Sequence, residues 1–477
     1  MNEHLKADAV NFPCEHGHIR DRADLISQLS IASELEHGLS LQYLFTAFSL
    51  KTSTAEGGLT AAELQVVLRW RGLLFAVAAQ EMQHLTQASN LLAAVGGSAH
   101  LRRPNFPQRK GYFPMKHRWG LWPFSAATLK LYTEWERPAS VPQPRELEEG
   151  EYEQELFSTK HRDMKKEIEE QDVHAAHLEQ LRRTNPPLYE LLLRKQRATR
   201  HETIGELYGA VANAFATWED DPSRGPLIIG DPAFQVEGRE VDMPQVIRVE
   251  TVDDALSAIQ LIVQQGEGDE LFAERVVATT DSHYGIFLRM LREYQTLKAR
   301  RPEFDPVRDV CPNPLSRLHD DNSYPGWRLI QDPFTSAVNE LNSAVYKTML
   351  LMLYRFFATP GGPESRRHFS RAFLPMMTTV IEPLGNMLTQ LPIGEDPPSE
   401  ASRTAGPRPL YAGPSFEISP SSELLPQAAA STRYITERLQ AEANAARKLS
   451  LAPSAPRALS AVAAQLDAIR AAFAPPG

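Results

Sequence analysis

Cysteine is nearly absent: Cys14 and Cys311 are the only two in 477 residues, which leaves no disulfide framework and fits a reducing compartment. No uninterrupted apolar run reaches the ~20 residues a membrane span needs. The opening stretch from Met1 to Asp8 lacks the apolar core of a secretory signal, so a cytoplasmic protein with no membrane partner is expected. Positive charge is outnumbered, with 50 Lys and Arg against 60 Asp and Glu. The formal net charge is −10, and no basic run is interleaved with aromatics as a strand-binding surface would require, so no nucleic-acid partner is expected. There is no phosphate-cradling glycine loop, no Gly-x-Ser-x-Gly elbow and no Cys-x-x-Cys pair, which removes the motif-borne forms of nucleotide, serine-hydrolase and thiol-redox chemistry.

What is present is apolar residues in helical register. At 42% hydrophobic and 23% charged residues the chain can bury a large core, and its length suggests two or three packing units. The most informative stretch is a helix in which Leu64, Val67, Leu74, Val77, Glu81, His84, Ala88, Leu91 and Val95 recur in steps of three, four or seven. Glu81 and His84 fall on the stripe that faces the core. Three residues along an α-helix is most of one turn, so the carboxylate and the imidazole project from one side and can reach one metal ion. An isolated buried charge costs several kcal/mol or more, so such a carboxylate has to be paired, protonated or metal-bound. A lone Glu-x-x-His also arises by chance, and the reading needs partners on other helices.

Between Asp24 and Leu50 the series Leu25, Leu29, Ala32, Leu39, Tyr43, Ala47 leaves one slot, filled by Glu36; Glu34 points elsewhere on the wheel and is expected to be solvated. On the helix from Arg197 to Thr217, Glu202 and Glu206 share one side, while Ile204, Tyr208, Val211 and Phe215 form the apolar side. Two acids on one face are as a rule a wet surface. From Glu274 to Tyr294 the stripe Val276, Val277, Thr280, His283, Phe287, Met290 carries His283, a residue equally at home as a hydrogen-bonded core histidine. Four long helices that each bring an acid or imidazole to a core-facing or flanking position have the arrangement of a carboxylate-bridged dimetal bundle.

The rest of the chain divides by composition. Residues 1–23 are a polar lead-in with Cys14, His16 and His18, read as surface; 24–300 hold the bundle, interrupted by a connection and charged helices over 100–200. His100 to Pro144 is rich in Pro and Trp, so a long wrap is expected with one short helix near Ser125 to Glu134, its tryptophans capping the bundle or forming a lid. Glu146 to Arg200, with His174 and His177, reads as exposed charged helix. Leu227–Ile229 and Gln245–Val249 read as short strands or extended loops, and Glu267 as a turn acid. Residues 301–392 are expected to supply additional packing helices, with the stripes Val338, Leu341, Val345, Met349, Met352, Phe356 and Phe373, Met377, Val380, Leu384, Leu388 free of ionisable groups. A Pro-rich strap over 393–426 and an Ala-rich helical tail over 427–477 complete the chain; the tail could dock on the body, form a homodimer or stay mobile.

Several ordered segments carry a resemblance: ASELEHGLSLQYLFTAFSLK, AAQEMQHLTQASNLLAAVGG, FSAATLKLYTEWERP, TIGELYGAV, IVQQGEG, DSHYGIFLRML and YAGPSFEI. Spread from Asp24 to Ile418, they resemble the ferritin-like domain of the iminophenylpyruvate dimer synthases of violacein- and rebeccamycin-type pathways and its stand-alone relatives. The resemblance implies a mainly α fold, a ferritin-like helical bundle with long wrapping loops, additional packing helices and C-terminal helices. It also implies that Glu36, Glu81, His84, Glu206 and His283 hold metal. The sequence departs from a symmetric dimetal pattern at one place: a second Glu-x-x-His would need an acid at Thr280, and Asp281 is one place off. One ion or an asymmetric pair is therefore expected.

Carboxylates and imidazoles without thiolates suit iron, or manganese. Five such groups cannot saturate two ions, so an open position for dioxygen or a peroxide follows. Tyr43 and Glu202 are the candidate catalytic groups, with Gln42 and Tyr284 also near the expected ligands; for both tyrosines ordinary core packing is the competing reading. The leading expectation is a non-haem iron oxidoreductase of specialised metabolism acting on a small, amino-acid-derived substrate. The alternatives are oxidative coupling of aryl-pyruvate imines, ranked lower because the longer synthases carry regions for which this chain has no room, and a non-catalytic metal-binding or scaffold protein.

Overall fold

The computed structural model describes residues 19–108, 113, 119–138, 141, 179–187, 189, 201, 203–266, 268, 282–317, 327–394, 410–419 and 427–473. The expectations placed on Cys14, His16, His18, His174, His177, Glu202, Glu267, Thr280 and Asp281 lie outside these residues. The fold is mainly helical, as expected.

Two long helices form its spine. Helix α1, Arg22–Ser49, starts where the Asp21 side chain accepts the Asp24 N–H. Helix α2, Ala61–Ala94, starts in a capping box of Thr60 and Glu63. It ends at Gly96 (φ +87°), whose N–H donates to Ala93 O while Gly97 N–H donates to Leu92 O; these two bonds satisfy carbonyls the helix end would otherwise leave open. A Cβ at Gly97 would lie 3.6 Å from the Ile26 side chain, so the two helices run antiparallel, and Ser40 Oγ reaches Ala78 O at 3.1 Å where they cross.

Around this pair lie α3 (Ala126–Trp135), α4 (Ile204–Thr217), α5 (Val252–Gly266) and α6 (His283–Arg300). α6 packs on α3, and α4 lies between α1 and α5. The wrap before α3 is tied to α1: Thr46 Oγ1 donates to Trp122 O at 2.8 Å and Tyr132 O–H to Gln42 O at 3.2 Å. Trp119 and Trp135 stack with ring centres 4.5 Å apart. Together with Trp122 they are buried in the bundle core.

Residues 235–249 form no strand. Side-chain amides take the place of a sheet partner: Gln87 bonds both the N–H and the C=O of Ile247, Asn90 both groups of Val236, and Gln235 both groups of Val249. A buried backbone group needs a partner, and here the partners are Gln87 and Asn90 on α2 and Gln235 within the segment itself. The segment is thereby laced along α2.

A second core is built by α7 (Pro333–Phe357), α8 (Pro363–Met376), α9 (Glu382–Leu388), α10 (Ala428–Leu449) and α11 (Ala458–Phe473). Pro375 removes a donor near the end of α8, and the chain passes through a π turn, Met377–Ile381, into α9. The tail helices dock: Ile435, Leu439, Ala443, Leu459, Val462, Leu466 and Phe473 are buried in this core. α1 belongs to both cores, giving Leu29, Tyr43 and Ala47 to one and Leu41, Phe45 and Phe48 to the other. The two-residue strands β1 (Pro314–Leu315) and β2 (Arg328–Leu329) pair in parallel. No helix among the described residues is long and apolar enough to cross a membrane.

Candidate metal centre

The acids that interrupt apolar stripes meet in the middle of the first core. Glu36 of α1, Glu81 and His84 of α2, and His283 at the start of α6 are each at most 2% exposed. A fifth group joins them: Glu136, the residue that ends α3, is buried beside His283. The five form two groups that share one carboxylate, Glu36–Glu81–His84 and Glu81–Glu136–His283, in each of which the ligand-type atoms lie within 4.8 Å of one another.

The geometry is nearly symmetric about Glu81. Its Oε2 is 3.0 Å from His84 Nδ1 and its Oε1 is 2.9 Å from His283 Nδ1. Glu36 Oε2 lies 3.5 Å from His84 Nδ1, and Glu136 Oε2 lies 3.6 Å from His283 Nδ1. The far nitrogen of each imidazole meets a glutamine: His84 Nε2 is 2.9 Å from Gln265 Oε1, and His283 Nε2 is 3.1 Å from Gln80 Oε1. Each outer carboxylate has a tyrosine, with Tyr208 O–H donating to Glu36 Oε1 at 2.6 Å and Tyr43 O–H to Glu136 Oε1 at 2.5 Å.

This cluster fits a cation on two counts. Glu81 Oε1 and His283 Nδ1 are both buried and lie within hydrogen-bond distance, yet they are not aligned to bond each other; a cation between them would satisfy both. The electrostatics agree. Burial, and then the neighbouring Glu81 charge, push Glu36 up to about 8, whereas Glu81 is held low against its own burial by the two imidazoles. His283 is raised to about 9 against its burial, by Glu81 and then Glu136, and His84 is raised by Glu36 and Glu81. The acids thus favour positive charge at both imidazoles, and a metal bound there would compete with protons for the same nitrogens.

One side of the centre opens at a small cavity whose rim is apolar: Leu39, Ile204, Ile262 and Val263, with Gly205 and Gly266 between them. A Cβ at Gly266 would lie 3.2 Å from Glu136 Oε2, so the glycine leaves that carboxylate its room.

Of the residues expected from sequence to hold metal, Glu36, Glu81, His84 and His283 are brought together. Glu206 is not among the convergent groups. It is half-buried in the first turn of α4, where its N–H is capped by Thr203, and the α4 residue that reaches the centre is Tyr208 from the side read as packing. Tyr43 touches the centre through Glu136. Gln42 instead accepts the Gly120 N–H and donates to Gly38 O, and Tyr284 packs with Leu288 and Val141. Glu34 is half-buried rather than solvated, 2.7 Å from His100 Nε2. Glu136, Gln80 and Gln265 were missed. The signal for Glu136 was available, since Leu129, Tyr132 and Glu136 keep steps of three and four and the acid again interrupts an apolar stripe.

A ferritin-like family model matches residues 29–292. Over 466 residues, 91% of this chain and 40% of the relative, the chain is 26% identical to a dichlorochromopyrrolate synthase of Lentzea aerocolonigenes. Over 414 residues, 83% of this chain and 34% of the relative, it is 26% identical to a 2-imino-3-(indol-3-yl)propanoate dimerase of Chromobacterium violaceum. The chain thus spans two fifths or less of the length of these relatives. No solved structure matches significantly.

Proposed function

The chain belongs to the ferritin-like family, and from that premise we propose that it is a non-haem iron enzyme that couples two amino-acid-derived imines oxidatively. The observation that carries this reading is the pair of buried Glu/His groups sharing Glu81. The choice of reaction is supported by the relative whose name states that it dimerises an imino acid. This reverses the order expected from sequence, in which oxidation of a single small substrate stood first.

Joining two imines through their enamine carbons forms one C–C bond and releases two protons and two electrons, which dioxygen or a peroxide must accept. Iron bound here would supply the redox step between them. Glu36 and His84, and Glu136 and His283, would hold the metal from either side of Glu81, so that Glu136 takes the place first given to Glu206. The glutamines at the far nitrogens orient the rings and keep Nδ1 turned inward. Tyr43 and Tyr208 each occupy one oxygen of an outer carboxylate, leaving the other for the metal, and Tyr43 can hold or pass a proton at Glu136 Oε1. The rim of Leu39, Ile204, Ile262 and Val263 excludes water and suits an apolar or aromatic side chain of the substrate. Glu202, just before α4 in the chain, is retained as an acid–base candidate.

The test combines elemental analysis of protein purified without chelator with incubation of iron-loaded protein, dioxygen and 2-imino-3-(indol-3-yl)propanoate generated in situ. The expected product has the mass of two substrates less two hydrogens, and is lost in Glu81→Ala. Because the chain covers so little of the coupling relatives, oxidation of one imine molecule is the second reading; dioxygen consumed with only a monomeric product would favour it. Protein that binds no metal under any loading would overturn both.

A further inference from the structure

The two groups share Glu81, but their supports differ. Glu36 and His84 stand well inside helices of 28 and 34 residues. His283 is the first residue of α6, and Glu136 is the residue just past the last turn of α3, a helix of 10 residues. A side chain inside a long helix is fixed by backbone hydrogen bonds on both sides, whereas terminal turns lack half of theirs and fray at lower cost.

The outer partners repeat this difference. Gln265, which meets His84, is held in a three-glutamine network: its Nε2 donates to Gln245 Oε1 at 2.6 Å and its Oε1 accepts from Gln83 Nε2 at 3.0 Å, while Gln83 also reaches Gln245 at 3.3 Å. Gln83 lies one turn before Gln87, so this network continues the lacing that fixes 235–249 on α2. With Nε2 committed to Gln245, the Gln265 amide can offer only its oxygen to the imidazole, which fixes the His84 tautomer. Gln80, which meets His283, is half-buried and has no second partner among the described residues.

We infer that the two halves of the centre are unequal. The Glu36–Glu81–His84 half, with Gln265 positioning His84, takes its ion first and holds it tightly. The Glu81–Glu136–His283 half, with Gln80 positioning His283, fills second and releases its ion first. Gln265 and Gln80 are positioning residues, acting through the imidazoles. The inference rests on the dimetal reading proposed above.

Apo-protein titrated anaerobically with Fe(II), and in parallel with Co(II) followed by visible absorption, tests it without any turnover. Two steps are expected, separated by at least tenfold in Kd. Glu136→Gln should abolish the second step and leave the first within about threefold. Gln265→Leu should weaken the first step by roughly 10–100-fold, and Gln265→Glu, which keeps an acceptor for Nε2–H, should restore it; a merely structural role would not give that rescue. Gln80→Leu should move the second step alone. Two ions bound with equal affinity, loss of both ions in Glu136→Gln, or a first step indifferent to Gln265→Leu would overturn the inference while leaving the dimetal centre standing. Wild-type protein that binds neither ion would remove the centre itself, and that outcome is distinct from the others.

Discussion

The two cores of this protein treat charge in opposite ways. In the first, three carboxylates and two imidazoles from α1, α2, α3 and α6 point at one another across the interior. In the second, each buried acid lies beside a single arginine: Glu240 beside Arg366 at 3.0 Å, and Glu442 beside Arg438 at 3.2 Å, with Glu442 also accepting from Thr348 Oγ1 at 2.6 Å. Each such pair balances its own charge. A convergent cluster with more acids than bases needs protons or a cation, and burying it costs several kcal/mol per uncompensated charge. The same burial therefore means docking in one core and, in the reading proposed above, a metal centre in the other.

The largest effect that would break this contrast is expected from Glu81→Ala, the residue common to both groups. Bound metal should fall to background by elemental analysis, with far-UV circular dichroism largely unchanged; full retention of metal would dismantle the comparison. Next comes Phe373→Ala in the second core, where Phe373 is 1% exposed. A loss of ~3–5 kcal/mol is expected from urea unfolding, with metal per folded chain unaltered. Metal lost in proportion to stability would show that the cores are not separable.

Glu442 sharpens the contrast, being an acid buried for docking. Burial pushes it up to about 7, against the pull of Thr348 and Arg438. Between its ordinary value of 4.5 and about 7 the folded chain holds a proton that the unfolded chain releases. The contribution is thus fully present below 4.5 and is lost as pH rises through 7. Glu442→Gln should remove this dependence, gaining up to about 3 kcal/mol over wild type at pH 8 and little at pH 4.5. A variant difference that does not change with pH would contradict the assignment. The smallest effect is expected from Glu34→Gln, which breaks a partly exposed pair with His100 worth no more than about 1 kcal/mol and should leave metal content intact. Glu36→Gln, two residues on, should lower it sharply, and equal effects would mean that α1 is turned the wrong way.

Much of this was legible before any coordinates. The steps of three and four from Leu25 to Ala47 and from Leu64 to Val95 locate both spine helices, and because Glu36, Glu81, His84 and His283 interrupt or ride on such stripes, their burial follows from periodicity. Glu136 escaped because a single short helix in a Pro-rich wrap gives few periods from which to judge a face. Glu206 was expected from the resemblance and not from the wheel, which put its side apart from the apolar one, and only the packing of α4 against α1 shows that Tyr208 faces the centre. The glutamines carry no periodic signature, since a neutral amide on a half-buried face is equally compatible with solvent.

Sequence by itself determined that acids and imidazoles had to enter a helical core, because an apolar stripe cannot turn toward the interior without taking its interruptions along. Which of them come within reach of one another was decided only by tertiary structure. The distance between side chains on separate helices depends on crossing points and on how the intervening wrap closes, and α3, brought back against α6, delivers Glu136 to His283.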